Sequence, residues 1–175
     1  MTVTRLVSVD DAPTITQLLI ENREFLGPWE PTRDEEYFTV ESQRKLIEAG
    51  LDRKTQGVSL PHVILDRDGT TIVGRITLNN IVRGPFQSAS VGYWVIAKAN
   101  GRGLASAAVA DIKRISFGEL GLHRLEAGTL KHNIGSQKVL ERNGFERYGL
   151  APSYLKIAGQ WQDHVLYQAL KPGLP

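Results

Sequence analysis

A glycine-containing loop between a predicted strand and a predicted helix limits the folds open to this chain more than any other feature. Residues 98–109 read KANGRGLASAAV and follow the apolar segment 91–96; from Leu104 onward, apolar residues recur at helical spacing. The backbone N–H groups that open a helix lack intrahelical partners and lie at the positive end of the helix dipole. Such a loop either only turns the chain or binds the phosphate groups of a nucleotide or coenzyme.

The residues around this loop disfavour a dinucleotide or a nucleoside triphosphate as its ligand. The dinucleotide fingerprint needs Gly or Ala at its third position and belongs on the first strand of its unit. Ser106 occupies that third position, and a predicted hairpin precedes the loop. The Walker pattern G-x-x-x-x-G-K-[ST] is absent from the sequence. A simple turn and a site for the diphosphate of coenzyme A remain as alternatives.

Hydrophobic periodicity and capping residues predict an alternation of strands and helices. Strands are predicted at 4–9, 62–66, 71–82, 88–96 and 123–130, with more after 145 and the last at 163–170. Helices are predicted from a cap at Asp10 and Asp11 to about 23, from Thr39 to about 54, from 104 onward, and over 133–144, while 24–38 is predicted as a loop. This order indicates one mixed α/β (α+β) domain over residues 1–175, with a frayed tail at 171–175.

Composition excludes several classes of function. The 175 residues include no cysteine and only four scattered histidines, so we expect neither a disulfide framework nor a metal site. The net charge of +2 and the absence of basic runs with interleaved aromatic residues argue against nucleic-acid binding. No segment is apolar enough to span a membrane or to act as a signal peptide. We therefore expect a cytoplasmic protein. Either a monomer or a homodimer is expected, and composition does not decide between them.

Six stretches in order along the chain resemble one known family. They are ENREFLGPWEP (21–31), GYW (92–94), NGRGLA (100–105), LHRLEA (122–127), HNIGSQKVLERNGF (132–145) and YLKIAGQWQDHVLY (154–167). Together they resemble the GNAT superfamily of acetyl-CoA-dependent N-acetyltransferases, and within it the RimJ-type ribosomal-protein alanine N-acetyltransferases. The chain departs from the superfamily's loop pattern, Gln/Arg-x-x-Gly-x-Gly/Ala, at Asn100, which stands where Gln or Arg is usual.

The resemblance implies a fold and a coenzyme site. The fold would be a mostly antiparallel twisted sheet with splayed central strands and about four helices. Acetyl-CoA would be the co-substrate, with a backbone N–H near Val95 polarising the thioester carbonyl. The coenzyme-binding residues would be Val95, Ile96, Ala97, Asn100, Gly101, Arg102, Gly103, Leu104, Ala105, Asn133, Ser136 and Lys138.

The predicted reaction is acetyl transfer from acetyl-CoA to the α-amino group of a protein N-terminus, with alanine of a ribosomal protein as the expected acceptor. By resemblance, Ser136 would protonate the departing thiolate. Glu126 is the candidate general base, and Trp29 and Tyr37 would contact the acceptor. Because the chain has no cysteine to form an acyl-enzyme, direct transfer in a ternary complex is favoured.

Two other functions remain open at this point. One is acetylation of a small-molecule amine, such as a polyamine or an antibiotic, because one fold hosts many substrates. The other is a module that binds acetyl-CoA without transferring the acetyl group, for which Asn100 is the only support.

Overall fold

Seven strands form one open sheet in the computed structural model, which describes residues 2–173. The strands are β1 (Thr4–Leu6), β2 (Leu60–Leu65), β3 (Ile72–Val82), β4 (Ser88–Val95), β5 (Arg124–Leu130), β6 (Glu146–Ile157) and β7 (Gln160–Leu170). Their order across the sheet is β1-β2-β3-β4-β5-β7-β6, and β4–β5 is the one parallel pair among the described strands. The mostly antiparallel sheet is thus confirmed. Residues 174 and 175 of the predicted tail lie outside the described residues.

Five helices cover the two faces of this sheet. They are α1 (Ala12–Glu21), α2 (Arg23–Leu26), α3 (Val40–Thr55), α4 (Leu104–Arg114) and α5 (Ile134–Arg142), and a π-helical turn, Ile115–Glu119, extends α4. Four helices agree with the prediction. The fifth, α2, lies at the start of the segment expected to be a loop, where Pro28 and Pro31 limit helical structure to short turns.

Side-chain caps set the starts of two helices as predicted. Thr39 and Asn133 each accept a hydrogen bond from the backbone N–H three residues later, at 3.2 and 3.1 Å. The predicted cap is correct in position, since Asp11 is the N-cap residue of α1 and Pro13 lies in the first turn, but the Asp11 side chain makes no capping hydrogen bond to α1. β1 already ends at Leu6, and Ser8 instead caps a short 3₁₀ turn in which the Asp11 carboxylate accepts from the Ser8 N–H at 2.7 Å.

Alternation of side chains along the inner strands builds one apolar core on each face of the sheet. Ile64 and Ile76 belong to the cluster that packs against α4 and α5. Val63 and Leu65 belong to the cluster that packs against α1 and α3. Because both faces are covered, the inner strands are apolar on both sides, and the sheet is held rigidly between two helical layers.

The central strands β4 and β5 separate after a short paired segment. They are paired only where Ser88–Ser90 lies beside Arg124–Glu126. Beyond Glu126, β5 continues with β7 as its antiparallel partner, while β4 continues with β3. This is the predicted splay, and it opens a gap between two strands of a single sheet.

Candidate active site

The gap between β4 and β5 opens into a cleft of about 460 Å³. Its walls come from both strands, from the start of α5 and from the segment around α2. The lining residues include Trp29, Glu30, Tyr93, Val95, Asn100, Ala105, Thr129, His132, Asn133, Ser136 and His164. A second cavity of about 360 Å³ shares Leu26 and Glu30 with this cleft and is lined further by Phe38 and Arg33. Leu26 and Glu30 therefore line both cavities.

The first turn of α4 presents backbone N–H groups at one end of the cleft. Gly103 has φ +80° and precedes the helix, and the first intrahelical bond runs from the Ala107 N–H to the Gly103 carbonyl at 3.0 Å. The N–H groups of Leu104, Ala105 and Ser106 donate no hydrogen bond within residues 2–173. Since these amides also lie at the positive end of the helix dipole, this turn can bind an anion.

The side chain of Arg102 points away from this anion site. Its guanidinium donates two hydrogen bonds to the carboxylate of Asp66, at 2.9 and 2.7 Å. The pairing lowers the pKa of Asp66, so the carboxylate stays charged and largely offsets the charge of Arg102. Lys138 is exposed on α5 and is not part of the cleft wall. The binding capacity of the loop therefore resides in its backbone.

Val95, Ile96 and Ala97 were expected to bind the coenzyme arm, and the N–H groups of two of them are already used inside the protein. The N–H of Ile96 donates to the carbonyl of Val73 at 2.9 Å. The N–H of Ala97 donates to Oδ1 of the buried Asn22, also at 2.9 Å. Hydrogen-bonded and non-hydrogen-bonded pairs alternate along an antiparallel ladder, so the next pair, Gly74 with Val95, is non-hydrogen-bonded. The Val95 N–H therefore points away from β3 and into the gap.

Ser136 lies at the start of α5 and is fixed by two contacts. Its N–H donates to the capping side chain of Asn133 at 3.1 Å. Its hydroxyl lies 2.8 Å from the hydroxyl of Tyr93 on β4. Burial raises the pKa of Tyr93 to about 12. Tyr93 was not predicted as a site residue. The side chains of Tyr93 and Val95 are two positions apart on β4, so they lie on the same face of the strand.

Glu126, the expected general base, is not brought to the cleft. Its carboxylate accepts from Nε of Arg124 at 2.7 Å and from the hydroxyl of Tyr148 at 3.3 Å. The physical reason is the strand register: Glu126 still pairs with Ser90, before the gap opens, and the cleft wall on β5 begins at Ala127. In the structure Glu126 is thus paired with Arg124 and does not line the cleft.

The carboxylate that does line the cleft is Glu30, which sequence reasoning missed. Burial raises the pKa of Glu30, and the cations Arg33 and Arg75 act in the opposite direction. A carboxylate whose pKa is raised is a better proton acceptor than an exposed one. The signal was its position in the segment PWEP, where a charged residue stands among apolar and rigid ones.

The two aromatic residues expected at the acceptor lie in different environments. Trp29 lines the cleft and packs against the ring of His132, with centroids 5.5 Å apart. Tyr37 is not part of the cleft wall. Its ring packs edge-on against Phe38 at 5.3 Å and lies under the guanidinium of Arg33 at 4.5 Å.

Comparison with known proteins identifies the family. Residues 2–146 match the model of the acetyltransferase (GNAT) domain. The chain belongs to the GNAT acetyltransferase family. The predicted superfamily and enzyme class are thus confirmed. No helix within residues 2–173 of this GNAT chain is long and apolar enough to cross a membrane.

Named relatives cover almost the whole chain. The chain is 36% identical over 168 residues to Probable N-acetyltransferase YjcK of Bacillus subtilis (strain 168), covering 96% of this chain and 93% of that one. It is also 36% identical over 170 residues to [Ribosomal protein uS5]-alanine N-acetyltransferase of Escherichia coli (strain K12), covering 97% and 88%. The solved structure of Mycobacterium smegmatis RimJ in complex with CoA-disulfide superposes with a TM-score of 0.93 at 34% identity, covering 98% and 83%.

Proposed function

We propose that this GNAT enzyme transfers an acetyl group from acetyl-CoA to the α-amino group of a protein N-terminus, with alanine of a ribosomal protein as the expected first residue. The observation that carries the proposal is the 36% identity, along 97% of the chain, to an enzyme named for acetylating an N-terminal alanine of a ribosomal protein. The cleft and its polar groups are consistent with that reaction.

The described residues fit acetyl-CoA in charge and in shape. The amides of Leu104, Ala105 and Ser106 would bind the diphosphate, and the gap between β4 and β5 would hold the extended arm. Bound acetyl-CoA supplies a thioester, whose carbonyl oxygen gains negative charge during transfer. The Val95 N–H, which points into the gap, would donate to that oxygen, and losing one such donor typically costs about 3 kcal/mol of transition-state stabilisation.

The acceptor amine must be neutral to attack. An α-amino group has a pKa of about 7.7–8.0, so roughly a tenth is neutral at pH 7, whereas a lysine side chain with a pKa of about 10.4 is almost entirely charged. A modest base therefore suffices for an N-terminus. Glu30 is our candidate, because it lines both the cleft and the second cavity and because burial raises its pKa. Trp29 would contact the acceptor beside it.

Direct transfer is supported by the absence of cysteine from the sequence, since the usual covalent acyl carrier is missing. Ser136 would donate a hydrogen bond to the departing sulfur. A coenzyme A thiol resembles a cysteine thiol, with a pKa of about 8.5, so the sulfur leaves readily and a weak donor is enough.

The test is acetyl transfer to a peptide that begins with alanine and contains one internal lysine, with the product located by mass spectrometry. The expected product carries the acetyl group on the α-amino nitrogen, and a matched peptide with a blocked N-terminus should give none. Labelling of lysine alone would overturn the proposal. Turnover of polyamines or antibiotics without any peptide turnover would favour a small-molecule acceptor. Tight coenzyme binding with no turnover of either class would favour a binding module.

A further inference from the structure

The hydroxyl groups of Ser136 and Tyr93 form a contact between two structural elements at the cleft. Tyr93 is on β4 and Ser136 is in the first turn of α5, and their oxygen atoms are 2.8 Å apart. Both residues line the cleft, next to the gap between β4 and β5. The contact therefore joins one side of the gap to the helix that lies over it.

Ser136 differs in this respect from three hydroxyl residues of the helices and of the π-helical turn after α4. The hydroxyls of Thr16, Thr55 and Ser116 each donate to the carbonyl four residues earlier, at 2.7 to 3.2 Å. This is the ordinary way in which a helical serine or threonine uses its proton. The partner of the Ser136 hydroxyl is instead a side chain 43 positions away in the sequence. Its orientation is set by tertiary structure rather than by its own helix.

We propose that Tyr93 is a positioning residue that donates its hydroxyl proton to Oγ of Ser136 and thereby leaves the Ser136 proton free to point at the coenzyme sulfur. In the opposite arrangement Ser136 would donate to Tyr93, and its single proton would be unavailable to the sulfur. The carbonyl of Ser136 is the alternative acceptor for Tyr93, but at 3.3 Å it offers the weaker bond.

Tyr93 is suited to remain a donor throughout the reaction. Its burial raises the pKa to about 12, so the phenol keeps its proton at any pH at which the enzyme works. As the acceptor nitrogen bonds to the carbonyl carbon, it loses a proton to the proposed base, Glu30, and the carbon–sulfur bond breaks. The electron pair of that bond stays on sulfur, and the Ser136 hydroxyl donates a hydrogen bond to the resulting thiolate. No proton has to leave Tyr93. This role rests on the proposed acetyl transfer, but its binding part requires only coenzyme A.

A double-mutant cycle tests whether Tyr93 acts through Ser136. Tyr93→Phe should lower kcat about tenfold with the KM for acetyl-CoA nearly unchanged, as expected for one hydrogen bond near a developing charge. Ser136→Ala should lower kcat at least as much, and adding Tyr93→Phe to it should cause no further loss. Tyr167→Phe is the matched control, because the Tyr167 hydroxyl also bonds to α5, at Glu141 (3.1 Å), but away from the cleft. Equal losses from Tyr93→Phe in both backgrounds would overturn the proposal, as would a change confined to thermal stability.

A second measurement needs no acceptor. The thiol of bound coenzyme A can be titrated by the ultraviolet absorbance of its thiolate in the wild-type enzyme and in each variant. Its pKa should rise by about one unit in Tyr93→Phe and in Ser136→Ala, rise no further in the double variant, and stay at the wild-type value in Tyr167→Phe. An unchanged thiol pKa in Tyr93→Phe would refute the positioning role. If the wild type acetylates no peptide but the thiol pKa responds in this way, the proposed acceptor is wrong and the positioning role stands.

Discussion

Gly74→Ala should reduce acetyl transfer by displacing the end of β4. A Cβ at Gly74 would overlap the carbonyl oxygen of Trp94 and lie 3.0 Å from Cα of Val95. The overlap is with backbone, which cannot rotate away as a flexible side chain could, so β3 and β4 must separate. Overpacking of this kind costs about 1–3 kcal/mol, against a total stability of about 5–15 kcal/mol, so the variant should remain folded. Displacement of a catalytic group by about 1 Å can cost roughly 100-fold in rate.

The assay for Gly74→Ala combines steady-state acetyl transfer with urea unfolding. We expect kcat to fall about 100-fold while the affinity for coenzyme A falls far less, because the Val95 N–H moves and the amides of α4 do not. Gly118→Ala is the matched control, since a Cβ there meets nothing within 4 Å. A Gly74→Ala enzyme with wild-type kcat would refute the assignment of Val95 as the donor to the thioester carbonyl.

Three further substitutions have outcomes of defined sign. If Glu30 is the base, both Glu30 and the acceptor amine must be deprotonated for reaction, so at pH values below both pKa values kcat/KM should fall with decreasing pH more steeply than one ionisation allows. In Glu30→Gln this decline should have the slope of a single ionisation. The same slope in the wild type and in Glu30→Gln would exclude Glu30 as the base. Thr129→Val removes a buried hydroxyl oxygen without a partner in the described structure and should stabilise the enzyme against urea by about 1 kcal/mol; destabilisation would contradict this. Asp66→Asn removes the ion-pair partner of Arg102, which lies beside the anion site, and should tighten coenzyme A binding about two- to fivefold at low salt. High salt should abolish the gain in affinity, and weaker binding by the variant would contradict the prediction.

The parts of the site that local sequence determines were predictable. The loop with Gly101 and Gly103 has the positive φ angles that only glycine adopts easily, and Asn133 caps its helix as its residue type suggests. These features depend on a few neighbouring residues. The order of strands around the loop then limited the ligand to coenzyme A or none.

Contacts between distant segments were not predictable in the same way. The amide of Ala97 is occupied because Asn22 lies beside it, 75 positions away in the sequence. The guanidinium of Arg102 turns to Asp66, 36 positions away, and so points away from the first turn of α4. Neither pairing has a local pattern, since each depends on how the hairpin and α1 pack around the end of β4.

Backbone NMR with added acetyl-CoA tests most directly the claim that the gap between β4 and β5 holds the coenzyme. Amides that gain a hydrogen bond to the ligand should show large shifts and slower hydrogen exchange, whereas amides already bonded within the protein should change little. We predict strong changes at Val95, Leu104 and Ala105 and small ones at Ile96 and Ala97, whose N–H groups are already bonded within the protein. Strong changes confined to the second cavity, or the absence of any change at Val95 and the start of α4, would contradict the account.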